Sequence, residues 1–107
     1  IFTSAYLDLG GASLGAKLIA LDLNGKQVWE YRGAGGWSGA VVAGGKVCVG
    51  SSTEPFFVCL DSNGNGDGTT NVVWRSKVDG VFEESVPAIY GDKLFVLCSD
   101  EYLHAFR

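Results

Sequence analysis

The chain has 107 residues, a formal net charge of −4 at pH 7 and a sequence pI near 4.7. This is the length of one small domain, and the acidic balance argues against nucleic acid or an anionic membrane as the main partner. The longest apolar runs are far shorter than the ~20 residues that cross a bilayer, so we expect no membrane span.

The glycine content and the hydrophobic pattern together predict an all-β protein. The chain holds 16 glycines and 2 prolines, and no stretch of useful length repeats apolar residues at 3.6-residue spacing. Ten strands are predicted in chain order: 1–6, 17–21, 27–31, 38–43, 46–50, 56–60, 72–78, 85–90, 93–98 and 102–106. The Gly44-Gly45 pair suits a two-residue hairpin turn between the fourth and fifth strands.

The same strand unit recurs about every 47 residues. Ser38 and Ser85, Gly44 and Gly91, and Lys46 and Lys93 are each 47 positions apart. A period of ~40–50 residues with short strands is typical of β-propeller blades. The sequence therefore predicts blades of four antiparallel strands. It divides into blade fragments 1–33, 34–80 and 81–107, about two and a half blades, of which the first and last are incomplete.

An incomplete set of blades requires partners. Closed propellers contain about 4–8 blades, and a blade cannot bury both of its faces alone. We expect the remaining blades to come from the same polypeptide or from other chains, with a protein partner in either case. Because both ends cut through a blade and residue 1 is not Met, the sequence favours a piece of a longer polypeptide.

The third and fourth strands of the unit carry a recognisable motif. Residues 17–33 read KLIALDLNGKQVWEYRG, in which an Asp ends one strand and a Trp lies in the next. This string resembles the tryptophan-docking repeat of the quinoprotein (pyrroloquinoline-quinone-type) propellers. The matching positions are Ala20, Leu21, Asp22, Gly25, Lys26 and Trp29. A second copy keeps Leu60, Asp61 and Trp74 but has a longer turn.

The resemblance implies a propeller fold and a location in the periplasm or outside the cell, but it leaves function open. The repeat occurs in dehydrogenases, assembly scaffolds and sensor domains. In the dehydrogenase members, a quinone lies on the propeller axis against a disulfide between adjacent cysteines, and this chain has no adjacent cysteine pair. Trp29 and Trp74 are expected to pack between neighbouring blades. Trp37 stays open between packing and a carbohydrate platform.

The loop from Asp61 to Asn71 is the strongest candidate site. Oxygen side chains alternate with glycines, which suits a hard cation such as Ca²⁺ and resembles the calcium loops of EF-hand, dockerin and integrin-type repeats. The candidate ligands are Asp61, Asn63, Asn65, Asp67 and Asn71. With two carboxylates and no terminal Glu, modest affinity is expected. The alternative is a glycine- and asparagine-rich hairpin loop that needs no metal.

The cysteines and the single histidine suggest no second site. Cys48, Cys59 and Cys98 lie in apolar strand patterns and favour buried thiols, with a Cys48–Cys59 bridge as the alternative. His104 has no recognisable nucleophile partner and too few companions for a zinc site, so a core or interface role is predicted. The Glu83-Glu84 pair is expected to lie in a solvated loop.

Three functions remain open. The favoured one is a non-catalytic scaffold or interaction propeller, exported and stabilised by Ca²⁺ if the loop binds it. The alternatives are a fragment of a quinone-dependent alcohol or sugar dehydrogenase, and an integrin-like calcium-binding adhesion repeat. No catalytic constellation and no quinone-binding residue is recognisable in the sequence.

Overall fold

The computed structural model describes residues 2–9, 12–82 and 85–106, with side chains considered from residue 16 onward. Within these ranges all regular structure is β-strand, which confirms the predicted all-β class. The strands are β1 Phe2–Leu9, β2 Ala12–Leu21, β3 Gln27–Arg32, β4 Ala40–Ala43, β5 Lys46–Gly50, β6 Phe56–Asp61, β7 Val72–Lys77, β8 Ala88–Tyr90, β9 Lys93–Leu97 and β10 Leu103–Phe106.

The strands form three antiparallel sheets in which sequence neighbours pair. Sheet 1 contains β1-β2-β3, sheet 2 contains β4-β5-β6-β7, and sheet 3 contains β8-β9-β10. This grouping of three, four and three strands follows the predicted strand units. Among the described residues none of these sheets closes on itself. The described ranges also hold no helix with the length and apolar character needed to cross a bilayer.

The bounds of β1, β2, β4 and β8 differ from prediction by more than one residue, and those of the other strands by one residue at most. β1 and β2 are longer than expected because their pairing continues as far as Leu9 opposite Ala12; Ile1 lies outside the described residues. β4 and β8 begin later than predicted because Ser38, Gly39 and Ser85 bond to the connections between sheets. Gly39 N–H donates to the carbonyl of Ser85 at 2.9 Å.

The two central strands of sheet 2, β5 and β6, are buried on both faces. In β6, alternate side chains point to opposite sides: Phe56, Val58 and Leu60 pack towards sheet 1, whereas Phe57 and Cys59 pack towards sheet 3. This explains why β6 reads as an uninterrupted apolar run, as doubly covered strands do. The chain therefore has two cores, one on each side of the middle sheet.

Both connections between sheets bond to sheet 2, at or just beyond the end of β5. The connection after β3 bonds to the end of β5, where Gly35 N–H donates to the carbonyl of Gly50 at 2.8 Å. The connection after β7 brings Phe82 N–H to the carbonyl of Ser51 at 2.8 Å. A Cβ on Gly50 would lie 2.3 Å from the Phe82 ring, so the absence of a side chain there lets the ring reach the second core.

Candidate functional site

The predicted calcium loop is held by hydrogen bonds among its own residues. Asp61 Oδ1 accepts from the backbone N–H of Asn63 at 2.9 Å. The side chains of Asn65, Asp67 and Asn71 are brought together: Asn65 Nδ2 donates to Asn71 Oδ1 at 3.1 Å and to Thr69, whose hydroxyl donates to Asp67 at 2.6 Å. The hydrogen bonds thus fall into two groups, one at Asp61 and one around Thr69.

The charge of Asp67 is favoured by these contacts. The Thr69 hydroxyl and then the Thr69 backbone N–H donate to the Asp67 carboxylate, and they hold its pKa below the ordinary value of 3.8. A loop with a persistent negative charge and several side-chain oxygen atoms has the donor chemistry of a hard-cation site. Binding would have to replace the Asn65–Asn71 and Asp67–Thr69 hydrogen bonds with bonds to the ion.

The same loop also packs on the tryptophan of the preceding sheet. Trp29 is fully buried, and its Nε1–H donates to the carbonyl of Ser62 at 3.1 Å. Gly64 lies so close to the indole that an added Cβ would be 2.4 Å from Trp29 Cδ1. Glu30 N–H completes the contact by donating to the carbonyl of Gly68 at 3.1 Å. The loop is therefore a docking element between sheets 1 and 2, a role that its composition does not reveal.

Trp74 occupies the corresponding position between sheets 2 and 3, but its surroundings are more open. Its ring lies 6.0 Å from Phe57 and 5.4 Å from Phe106, measured between ring centroids. Beside it is a cleft of about 230 Å³, bordered by the β4–β5 and β8–β9 turns. The residues that line the cleft include Cys48, Cys59, Trp74, Asp92, Lys93 and Phe106.

The interface between sheets 1 and 2 shows which residue lies at the place equivalent to this cleft. There, Ser62 lies between the β4–β5 turn and Trp29, with its N–H and hydroxyl both donating to the carbonyl of Gly45. Gly45 corresponds to Asp92 at the repeat spacing of 47. The space between Asp92 and Trp74 is therefore equivalent to the space that Ser62 fills between Gly45 and Trp29.

The favoured cysteine prediction is wrong for two of the three residues. Cys48 and Cys59 lie directly opposite each other on β5 and β6, with their Cα atoms 4.1 Å apart, and they form a disulfide. The strand register places the two side chains directly opposite each other on the same face of the sheet. Cys98 is a buried free thiol, as predicted.

Sequence reasoning missed a cluster of Cys98, Asp100 and His104. The three residues belong to the hairpin that joins β9 to β10. Their side-chain donor atoms, a sulfur, a carboxylate oxygen and an imidazole nitrogen, all lie within 4.8 Å of one another. His104 Nε2 is 2.7 Å from Asp100 Oδ2, while Asp100 Oδ1 accepts from the backbone N–H of Tyr102 at 3.0 Å. The Cys98 thiol points to the carbonyl of Val81 at 3.6 Å.

The cluster is shielded but can be reached from solvent. The side chains of Asp100 and His104 are 8% and 23% exposed. The His104 ring stacks on Phe106, with 6.0 Å between centroids and 9° between planes, and Phe82 meets its edge. The His104 ring thus packs against aromatic neighbours, as expected for a core or interface histidine, while its Nε2 atom is directed to Asp100.

The pKa of the Cys98 thiol is raised, whereas the pKa of the Asp100 carboxyl is lowered. Burial raises the pKa of the Cys98 thiol, which is therefore protonated at neutral pH. Burial also works to raise the pKa of Asp100, but donation from Tyr102 N–H and from His104 outweighs it and holds that pKa below its ordinary value. Asp100 is consequently an anion beside a neutral thiol.

Trp37 and the Glu83-Glu84 pair were the other residues singled out in the sequence. Trp37 is 61% exposed, and its backbone N–H donates to Ser52 Oγ at 3.3 Å. Glu83 and Glu84 lie outside the described residues.

Comparison with known proteins gives no family profile that matches this chain and no curated protein with significant similarity to it.

Proposed function

We propose that this chain is part of a β-propeller that serves as a non-catalytic scaffold or interaction module. The remaining blades come from the same polypeptide or from other chains. The observation that carries the proposal is the reuse of one docking arrangement at two successive interfaces. Trp29 lies between sheets 1 and 2, and Trp74 lies between sheets 2 and 3.

Equivalent contacts at successive interfaces are what a radial array of blades requires. Each sheet in such an array covers one face of the next, so an interior sheet is buried twice and a terminal sheet once. The central strands β5 and β6 of sheet 2 have this double burial. The connections also run from sheet to sheet in one direction, through Gly35 against Ser51 and through Gly39 against Ser85.

The outer face of sheet 3 supports a further neighbour. Leu97 and Leu103 are opposite each other on β9 and β10, and they are 63% and 60% exposed. Their chain neighbours Val96 and His104 point the other way, towards sheet 2. An apolar face of this kind on a sheet marks a surface for another protein element.

An interaction role fits the chemistry better than catalysis. The disulfide Cys48–Cys59 spans two paired strands and is not the bond between adjacent cysteines that accompanies a quinone. The cross-strand bond does support an oxidising compartment, and hence the expected periplasmic or extracellular location. The alternative, a fragment of a quinone-dependent dehydrogenase, predicts that adding quinone with Ca²⁺ produces a bound-quinone absorbance band. The proposed scaffold predicts no such band.

The scaffold proposal is tested by mass and by the outer face of sheet 3. Native mass of the source protein should correspond to a particle with enough repeats for about 4–8 blades. Leu103→Glu should reduce assembly or stability, because it places a charge on a face that another sheet covers. Leu23→Glu is the matched control, since Leu23 is 92% exposed in a turn and should tolerate the charge. A native mass of 11.3 kDa for the source protein, that is, a single free chain, would refute the proposal.

Calcium binding at the docking loop is a separate part of the proposal. Asp61, Asn63, Asn65, Asp67 and Asn71 would supply oxygen ligands, and the ion would brace the loop against Trp29. The expected result is a Ca²⁺-dependent rise in melting temperature that Asp61→Asn and Asp67→Asn remove. Asp22→Asn is the control, because Asp22 Oδ1 caps the short β2–β3 turn in a similar way, accepting from Asn24 and Lys26. If Ca²⁺ raises the melting temperature of the Asp61→Asn, Asp67→Asn double variant as much as that of the wild type, the ion does not bind in this loop.

A further inference from the structure

We propose that Cys98, Asp100 and His104 form a binding site for a divalent transition metal ion, with Zn²⁺ the expected ion. The inference does not depend on the propeller assignment. It rests on the convergence of a sulfur, an oxygen and a nitrogen donor within 4.8 Å in one hairpin. The same three donor types bind zinc in proteins, at about 2.0–2.3 Å from the metal.

The equivalent hairpin of sheet 2 is built from other residues, in a turn one residue longer. Ser51 stands at the position of Cys98, and Thr53 stands at the position of Asp100, each 47 residues earlier. Val58 stands at the position of His104, since both are opposite the equivalent residue of the preceding strand: Val58 pairs with Val49, and His104 pairs with Val96. In sheet 1 the same strand position holds Ile19.

Sheet 3 therefore carries side chains that can bind a metal at three positions where sheet 2 has serine, threonine and valine. In the β5–β6 hairpin, Ser51 Oγ satisfies the turn by accepting from the backbone N–H groups of Thr53 and Glu54. In the β9–β10 hairpin, Asp100 takes over the turn contact through Oδ1 and keeps Oδ2 for His104. One carboxylate oxygen is thus fixed by the backbone and the other is directed into the cluster.

Neighbouring groups hold the candidate ligands in place, as is common around metal sites. Hydrogen bonds and packing around a site orient the donors before the ion arrives. The backbone of Tyr102 fixes Asp100, and stacking on Phe106 fixes the His104 ring. Gly80 brings the connection between sheets 2 and 3 against the hairpin, where an added Cβ would be 2.7 Å from Asp100 N and 3.1 Å from Cys98 Sγ.

The donor set selects the class of ion. A thiolate is a soft ligand that Ca²⁺ and Mg²⁺ do not favour, whereas thiolate with imidazole and carboxylate suits Zn²⁺. Binding replaces the Asp100–His104 hydrogen bond and releases the Cys98 thiol proton to solvent, because the thiolate is the ligand form. Three protein ligands leave one tetrahedral position for water or for a donor from a partner.

The test is a titration of the metal-free 107-residue chain with Co²⁺ in the absence of reductant. Cobalt–thiolate bonds absorb in the near ultraviolet, and Cys98 is the free cysteine, so the band reports this residue alone. We expect one equivalent of Co²⁺ to bind with a thiolate band and tetrahedral visible bands, and Zn²⁺ to displace it.

Three variants take their residues from the hairpin of sheet 2 and should therefore fold, as circular dichroism can verify. Cys98→Ser should abolish the near-ultraviolet band. Asp100→Thr and His104→Val should each weaken Co²⁺ binding by more than about tenfold, the lower range seen for loss of a supporting contact. Asp67→Asn, in the distant docking loop, should leave the spectrum and the affinity unchanged.

Several outcomes would overturn the proposal. Absence of a thiolate band at millimolar Co²⁺ in the folded chain would mean that the cluster is an Asp100–His104 ion pair beside a buried thiol. An unchanged affinity in His104→Val or in Asp100→Thr would remove that residue from the site and refute the three-ligand arrangement. A band that persists in Cys98→Ser would place the metal elsewhere.

Discussion

Replacing Gly64 by Ala tests the docking contact between the 61–71 loop and Trp29. Gly64 has φ +77°, a left-handed backbone conformation that costs a residue with a Cβ about 1–2 kcal/mol. In addition, the new Cβ would be 2.4 Å from Trp29 Cδ1 and 3.2 Å from the carbonyl oxygen of Thr69. Carbon atoms pack best at roughly 3.5–4.0 Å, so the loop or the indole must move.

Gly66→Ala is the matched control in the same loop. Gly66 has φ +80°, and nothing lies within 4 Å of its added Cβ, so this variant carries the backbone cost alone. Forced overpacking costs a further ~1–3 kcal/mol. We therefore expect Gly64→Ala to reduce the free energy of unfolding by about 1–3 kcal/mol more than Gly66→Ala does.

The assay is urea unfolding followed by circular dichroism, with both variants also made in a Trp29→Phe background. Phenylalanine lacks the five-membered ring that faces Gly64, so the extra cost of Gly64→Ala should shrink there. An interaction free energy of about 0.5–3 kcal/mol is usual for residues in contact. Equal destabilisation by Gly64→Ala and Gly66→Ala, or a coupling near zero, would refute the docking contact.

Two further predictions concern the disulfide and one ion pair. Replacing both Cys48 and Cys59 by Ala should lower the free energy of unfolding by about 3 kcal/mol, since the bridge closes a loop of 11 residues in the unfolded chain; wild type in reductant should behave alike in urea, and no difference would contradict the bridge. The Lys17 ammonium, 3.2 Å from Glu30, holds the pKa of Glu30 below its ordinary value of 4.5. Because the folded pKa is the lower one, the stabilisation is present above pH ~4.5 and is lost as the pH falls through the folded pKa. Glu30→Gln should therefore lose up to ~1 kcal/mol at pH 7 and flatten that part of the acid dependence, and an unchanged acid dependence would show that the pair contributes nothing.

The strand pattern could be predicted because it depends on local signals. The Gly44-Gly45 turn has positive φ at both residues, as a tight hairpin between twisted strands requires. The alternation of apolar residues then places β5 and β6 side by side. The shortened β8 could have been anticipated, since Pro87 has no N–H to pair.

The candidate sites depend on register and on neighbouring sheets, which composition does not contain. Cys48 and Cys59 bond because β5 and β6 pair with these two residues opposite each other. The Cys98 cluster escaped notice because one histidine and one cysteine do not form a spaced motif. The signal that could have found it is comparison of the repeats, in which His104 replaces an aliphatic residue. The docking role of the 61–71 loop depends on Trp29, which belongs to a different sheet.

The double coverage of sheet 2 has a consequence for motion. Amide groups exchange with solvent through local openings, and an element held on two sides opens least often. Deuterium should therefore enter β1 and β8–β10 within the first part of an exchange time course, while β5 and β6 retain their protons until the whole chain unfolds. The two central strands of the middle sheet are therefore expected to exchange last, and the strands of the outer sheets first.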